Sequence, residues 1–380
     1  MEFNYHLPVN LIFGRNSVCK LKEISADYGK KALIVTGKNS TKKSGLLDRV
    51  IGYLDKAGVD AAVFDEVQQN PLTTTAETAA NMAKSEGCDM VLGLGGGSVL
   101  DCAKAAAFIA VNEGDINDYI FGRLKSDKAL PIILIPTTCG TGSEGNGFAV
   151  LTNPENGDKK SIRCNAIVAS ASIIDSECMM TMPKSILASV GFDALCHCME
   201  AYISKIGQPL TEMMSLQGMT LIGKYLLPLY EGECSSSAWD AVSWASTLGG
   251  MSINTAGVTL AHGMEHPASG LKDIVHGRGL AALTPVIMEE TIARCDVGDL
   301  EKFAAISRSL GGKNAEDCVE KIRELLERLQ LTTTLSELGI GENDLDWMTE
   351  NCMKVSAAGI SYHPVTFTKG QIRELYAKAL

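Results

Sequence analysis

Residues 193 to 276 bring together side chains able to hold a metal ion. The segment reads Asp193-Ala194-Leu195-Cys196-His197, then His262, His266 and His276. Asp193 and His197 are four apart, which puts them on one face of a helix, a turn from each other. His262 and His276 are each followed by a glycine, Gly263 and Gly277, the two ends of a glycine-containing stretch. The chain has six histidines and four lie in this window, so composition alone does not explain the cluster. Any one of them could cap a helix or fill a polar gap. An Asp-x-x-x-His pair with two more imidazoles is better read as a ligand set, with Asp193, His197, His262 and His276 as the candidates. One carboxylate and three imidazoles suit Zn²⁺ or Fe²⁺ rather than the oxygen-seeking Ca²⁺ or Mg²⁺.

A second group is built for phosphate. Gly93-Leu94-Gly95-Gly96-Gly97-Ser98 follows an apolar run and precedes a helical pattern from Asp101. Consecutive glycines expose backbone N–H groups, permit positive φ and let an anion approach closely. Ser98 and Asp101 have capping-box-like spacing, which would start a helix with its N-terminus toward the anion. The run is not a G-x-G-x-x-G fingerprint, since Ser98 stands at the third glycine's place. A tight strand-to-helix turn would look similar. Pro136-Thr137-Thr138-Cys139-Gly140-Thr141-Gly142-Ser143-Glu144 is a second loop of small donors. Two such loops suggest a dinucleotide more than a lone phosphate.

These groups need elements to position them. Up to about residue 183, short buried runs (32–36, 61–64, 90–94, 132–136) alternate with helical patterns at 46–57, 73–85 and 101–110. Such alternation predicts a parallel sheet covered by helices, with ligands at the carboxyl ends of its strands. Beyond Pro183, which suits a first helical turn, long helical patterns dominate: 192–204, 210–230, 238–254, 279–291, 300–310 and 315–329. The expected organisation is an α/β N-terminal parallel-sheet nucleotide-binding domain over 1–183 and an all-α metal-binding domain over 184–380. A cleft between them would set a Lewis-acidic metal beside a nicotinamide C4.

Composition removes other classes. A net charge of −11 with only isolated lysine pairs argues against nucleic acid. The start has no basic segment followed by an apolar one, so no secretory signal is expected. No stretch reads as eighteen apolar residues, so no membrane span is expected. Twelve scattered cysteines without Cys-x-x-Cys suit the reducing cytoplasm. Neither a Gly-x-Ser-x-Gly elbow nor a P-loop lysine pattern occurs.

Together the glycine loop, Pro-Thr-Thr-x-x-x-Thr-Gly-Ser-Glu, Asp193-x-x-x-His197, His262-Gly-x-x-His266-Pro and His276-Gly resemble the iron-dependent alcohol dehydrogenases. The resemblance runs from the first strand to the last helices. It implies a dehydroquinate synthase-like fold and hydride transfer between NAD(P)(H) and a small primary alcohol, aldehyde or ketone. It assigns Asp193, His197, His262 and His276 to the metal, Fe²⁺ or Zn²⁺, and makes His266 a proton relay near the substrate. It places Gly95, Gly96, Gly97 and Ser98 at the pyrophosphate. Asp101, Thr137, Thr138, Thr141 and Lys160 make looser cofactor contacts, and Asn70 lies near the adenosine end. A homodimer is the family-level expectation. Two departures stand out. Gly37 occupies the place where NAD-preferring members carry an acid, with Lys38, Ser40, Thr41, Lys42 and Lys43 close behind, so NADP(H) is expected over NAD(H). His363-Pro364-Val365 replaces a frequent Asn-Pro-Arg. The rival readings are a same-fold lyase of the dehydroquinate synthase kind, a metallohydrolase without nicotinamide, and a non-catalytic metal-binding scaffold. The lyase would require several cations near the metal, where only Lys272 and Arg278 occur.

Overall fold

A computed structural model describes residues 2–233 and 235–380. Eight strands form: β1 (Asn10–Phe13), β2 (Lys31–Gly37), β3 (Asp60–Val67), β4 (Met90–Gly95), β5 (Ile132–Pro136), β6 (Phe148–Thr152), β7 (Lys159–Arg163) and β8 (Ala171–Ile174). Six of them make one sheet in the order β1-β8-β5-β4-β2-β3, every pair parallel. The helices of this half are α1 (Leu21–Ile24), α2 (Ser40–Lys43), α3 (Leu46–Lys56), α4 (Thr73–Ser85), α5 (Gly97–Ile109) and α6 (Ile116–Ile120). Strands buried on both faces read as near-continuous apolar runs; β4 and β5 are such runs, and β2 departs only at Lys31, its first residue, and Thr36. Alternate residues serve opposite layers. Leu33, Val35, Val91 and Leu134 meet the alanine faces of α4 and α5, while Ile34, Leu92, Ile133 and Ile135 meet Leu47, Val50 and Leu54 of α3.

The chain leaves β2 toward β3 at one edge and β4 toward β5 on the other side. The sheet therefore has its switch point between β2 and β4, where open α/β sheets bind ligands. Gly37 ends β2 and Gly95 ends β4, so both border that crevice.

From Lys184 on the chain is helical: α7 (Lys184–Ile203), α8 (Pro209–Glu231), α9 (Ser236–Ala256), α10 (Leu260–Lys272), α11 (His276–Ile292), α12 (Leu300–Ser309), α13 (Cys318–Arg328), α14 (Leu345–Val355), α15 (Ala357–Tyr362) and α16 (Lys369–Lys378). They enclose one large core containing Phe192, Leu195, Met199, Leu280 and Tyr376. Helix α7 is long and apolar enough to cross a membrane, contrary to the sequence expectation, but 83% of its window is buried inside the protein. Its apolarity is that of a core helix.

Other expectations need correcting. The β6–β7 antiparallel hairpin, the edge strand β1 and its neighbour β8 have no counterpart in the sequence reading. Helix α5 starts at Gly97, four residues before the expected Asp101. Ser98 and Asp101 form no capping box: Gly96 is the N-cap and no side chain caps it. The eleven described cysteines are all free, eight of them buried.

Candidate active site

Helix α7 presents Asp193 and His197 one turn apart, α10 carries His262 and His266, and His276 opens α11. Donor atoms of Asp193, His262 and His276 all lie within 4.8 Å of one another. Asp193 Oδ1 is 3.3 Å from His262 Nε2 and 3.7 Å from His276 Nε2. His197 stands beside this trio with its ring stacked on that of His262, 4.4 Å between centroids. Its Nδ1 is 3.6 Å from Asp193 Oδ1.

The other edges of these rings explain how they are held. His262 Nδ1 lies 2.5 Å from Glu200 Oε1. His276 Nδ1 pairs with Glu265, and His197 Nδ1 is 3.3 Å from Gly140 O. A ligating histidine characteristically gives its remaining ring N–H to a carboxylate or carbonyl, which fixes tautomer and orientation. His262 and His197 do so here through Nδ1; His276 Nδ1 stands against the Glu265 carboxylate in ion-pair contact without hydrogen-bond geometry, and His262 Nε2 lies toward Asp193. The carboxylates are themselves anchored. Glu200 Oε2 accepts from Thr259 N at 2.6 Å and Thr259 Oγ1 at 3.0 Å. Glu265 is fully buried, accepts from Ser269 and lies 3.7 Å from Lys159 Nζ.

Electrostatics agree with a cation site. Burial would raise the Asp193 carboxyl, but the surrounding imidazoles, His197 foremost, hold it well below the usual range. Burial would lower His262, yet Glu200 and Asp193 raise it to about 10. Burial pushes His197 down to about 4. Three buried carboxylates, Asp193, Glu200 and Glu265, thus converge on imidazoles, and a divalent ion would balance them. These residues fit a metal by donor type and by the hydrogen bonding behind them.

Facing them across a cleft stand Gly97, Ser98 and Thr141. With no side-chain cap on α5, its first N–H groups point an uncompensated positive end at the cleft. Gly95, Gly96 and Gly97 all have negative φ, so conformational freedom is not why glycine is needed here. Space is: a Cβ on Gly97 would overlap the Thr141 side chain, and one on Gly96 would sit 3.2 Å from Thr138. The two phosphate-type loops are therefore packed on each other, with Thr137 N donating to Gly95 O at 2.9 Å.

Other expected cofactor residues fall in different roles. Asp101 lines the cleft, but its Oδ1 accepts from Ser143 Oγ at 2.6 Å and its Oδ2 from Val150 N at 3.0 Å. It ties the loop to α5. Lys160 is not on this cleft; its Nζ donates to Val355 O at 2.6 Å in a neighbouring cavity. The lysine that lines the cleft is Lys159, bonded to Asn70 Oδ1 at 2.9 Å. Asn70, at φ 45°, donates Nδ2 to Asp273 Oδ1 and Ile274 O at 2.8 and 3.1 Å. It joins the two halves a few residues before His276. Sequence reasoning missed Glu200, Glu265 and Lys159. The available signal for the glutamates was an acid one turn after a candidate ligand: Glu200 follows His197 by three, Glu265 follows His262 by three.

Residues 8–176 match the family model for iron-containing alcohol dehydrogenase, and residues 187–380 match that family's C-terminal model. The chain belongs to the iron-containing alcohol dehydrogenases. A 1,3-propanediol dehydrogenase of Klebsiella pneumoniae is 34% identical over 362 residues, covering 93% of this chain and 92% of that one. An NADPH-dependent butanol dehydrogenase of Clostridium saccharobutylicum is 29% identical, covering 98% and 96%. The crystal structure of an archaeal halo-thermophilic Red Sea brine pool alcohol dehydrogenase superposes with a TM-score of 0.96 at 33% identity, covering 100% and 99%. As an iron-containing alcohol dehydrogenase, the protein is a metal- and nicotinamide-dependent oxidoreductase of alcohols, and the lyase, hydrolase and scaffold readings fall away.

Proposed function

We propose that Asp193, His197, His262 and His276 hold one divalent metal and that the Gly95–Ser98 turn, with Thr137, Thr138 and Thr141, holds the cofactor pyrophosphate and its neighbours. The observation that carries this is the shared cleft. Three imidazoles, two of them hydrogen-bonded through Nδ1 and the third with Nδ1 against the Glu265 carboxylate, face the bare N-terminus of α5 across it. Bound there, the metal supplies Lewis-acid polarisation of a substrate oxygen and the nicotinamide gives or takes the hydride. The chain's own residues do the rest. Glu200 and Glu265 fix the ring planes of His262 and His276. His266, half-buried on α10, is held neutral at pH 7, because burial and then the Lys159 ammonium push its pKa well down. A neutral imidazole at the cleft wall can take the hydroxyl proton during alcohol oxidation and return it during aldehyde reduction. Ile253 and Phe148 line the same cleft and limit its water.

The finer reading is an enzyme of small primary alcohols and aldehydes, built from a cofactor domain over 1–183 and a metal domain over 184–380. It works in the cytoplasm as a homodimer and prefers Fe²⁺ and NADP(H), with Zn²⁺ and NAD(H) as the alternatives. Support for NADP(H) is Gly37 at the end of β2, where no carboxylate repels a 2′-phosphate. Lys42 pairs with Asp65 and Thr41 bonds to Thr36, so Lys38, Ser40 and Lys43, all exposed, are the donors left for that phosphate. The test is metal analysis of anaerobically purified protein, with an aldehyde panel followed by loss of NADPH or NADH absorbance. One metal per chain and a higher kcat/KM with NADPH are expected. A higher value with NADH overturns the reading of Gly37, and metal-independent or absent turnover overturns the site.

A further inference from the structure

A second cavity shares His266 with the first, and that side chain lines both spaces. Its walls include Lys160, Ser161 and Arg163 of β7 with Thr259, Ser356 and Tyr362, and its lining contains no Asp or Glu. In a chain of net charge −11, two cations facing one cavity without an acid call for an explanation. Lys160 donates to Val355 O, and the Arg163 Nε donates to Ser161 Oγ at 2.9 Å. The guanidinium lies 4.4 Å over the Phe148 ring. An ammonium has three N–H groups and a guanidinium five, so both retain donors. Other lysines of this region are committed: Lys159 pairs with Glu265 and Lys354 with Asp158. Asp158, the acid nearest in influence to Lys160, also accepts from Asn351 at 2.7 Å. Burial lowers the Lys160 pKa and the Arg163 charge lowers it further; the two cations are close enough to repel. An anion between them would relieve that repulsion and use their spare N–H groups.

We infer that this cavity receives the negatively charged tail of the substrate, so that the preferred alcohol or aldehyde carries a carboxylate, sulfonate or phosphonate a few atoms from the reacting carbon. The inference rests on the dehydrogenase reading above and narrows its substrate class. The Ser161 and Ser356 hydroxyls beside the cations add donors for such a group, whereas the Thr259 hydroxyl is spent on Glu200, and His266 marks the border between tail and reacting end.

The test compares succinate semialdehyde with butyraldehyde, of equal chain length, on the metal-loaded enzyme. Charge-assisted hydrogen bonds of this kind predict about a tenfold higher kcat/KM for the charged aldehyde. In Arg163→Gln and in Lys160→Gln that ratio should collapse toward one, and Arg163→Lys should restore part of it. Butyraldehyde reduced as well as or better than succinate semialdehyde, or a ratio unmoved by Arg163→Gln, overturns the inference and leaves the dehydrogenase reading standing. Failure with every aldehyde sinks the dehydrogenase reading instead. Calorimetry with propanesulfonate, a poor metal ligand, then decides the cavity alone. Binding that weakens in Arg163→Gln supports an anion site, and no binding overturns it.

Discussion

Each imidazole of the proposed metal pocket has one ring nitrogen facing an oxygen of the protein, and the identity of that oxygen matters. Glu200 gives His262 a full negative charge where a carbonyl would give only a dipole. Glu200→Gln keeps the shape and removes the charge, and should weaken metal affinity by about 10–100-fold. Competition with a chromogenic chelator measures this; unchanged affinity would show Glu200 to be mere packing. His266 makes the opposite claim. It is 6.2 Å from the His262 ring and 6.0 Å from that of His276, outside the ligand trio. His266→Ala should retain the metal and slow turnover by about 10²-fold, with an altered pH–rate profile. An unaltered profile would make it structural. The ligand-type residues were legible in the sequence because histidine is scarce there and the spacing of Asp193 and His197 has helical meaning. Glu200 and Glu265 were not, because an acid in a helix is ordinarily a solvated one. Only the fold reveals that α7 and α10 turn these two inward.

Among the elements, α5 and the loop it faces act as one unit, and the fastener is Lys104. This fully buried side chain donates to Ser143 O and Oγ, to Asn146 O and Oδ1, and to Phe148 O. Lys104→Met takes a donor from each of those acceptors and removes the cation that acts most on Asp101. It should cost about 3–5 kcal/mol of stability, read from urea midpoints. The same residue gives a pH signature. Burial lowers its pKa from 10.5 to about 8, against the pull of Asp101 and Glu144. Between those values the unfolded chain binds the extra proton, so this group's contribution to stability rises with pH there and is constant below about pH 8. The difference between wild type and Lys104→Met should widen across that window; parallel curves would contradict it. Helix α4 lies where its pattern placed it, and α3, α8 and α9 end within two residues of expectation. Helix α10 was illegible because Gly263 and Pro267 interrupt its pattern. Helix formation there is decided by packing against α7, α11 and α14 rather than by propensity. The hairpin was hidden because its two strands are short and one opens on the adjacent Lys159 and Lys160, whose side chains enter two different cavities.

For the molecule as a whole, Asn70 joins the sheet half to the metal half. Its amide receives Lys159 and reaches Asp273 and Ile274, three residues or fewer before His276. Asn70→Ala should lose about 1–3 kcal/mol of hydrogen bonding, speed amide exchange at 273–276 and accelerate metal release several-fold. Exchange unchanged in that segment would show that the halves are held elsewhere. The division into a sheet and a helical half could be read from patterning alone. The clasp could not, since it depends on which loops meet. One property of the interior has a practical side. Twelve cysteines would suggest an enzyme easily poisoned by alkylating agents. Yet burial pushes the thiols of Cys102, Cys139, Cys198, Cys318 and Cys352 up to about 12, so almost none is thiolate, the reactive form, at neutral pH. Among the described cysteines, iodoacetamide should label only the partly exposed Cys19, Cys164 and Cys295, with activity retained; mass spectrometry of the labelled peptides checks this. A reducing additive should therefore do little for this enzyme through its thiols, and activity measured after storage with and without one should agree.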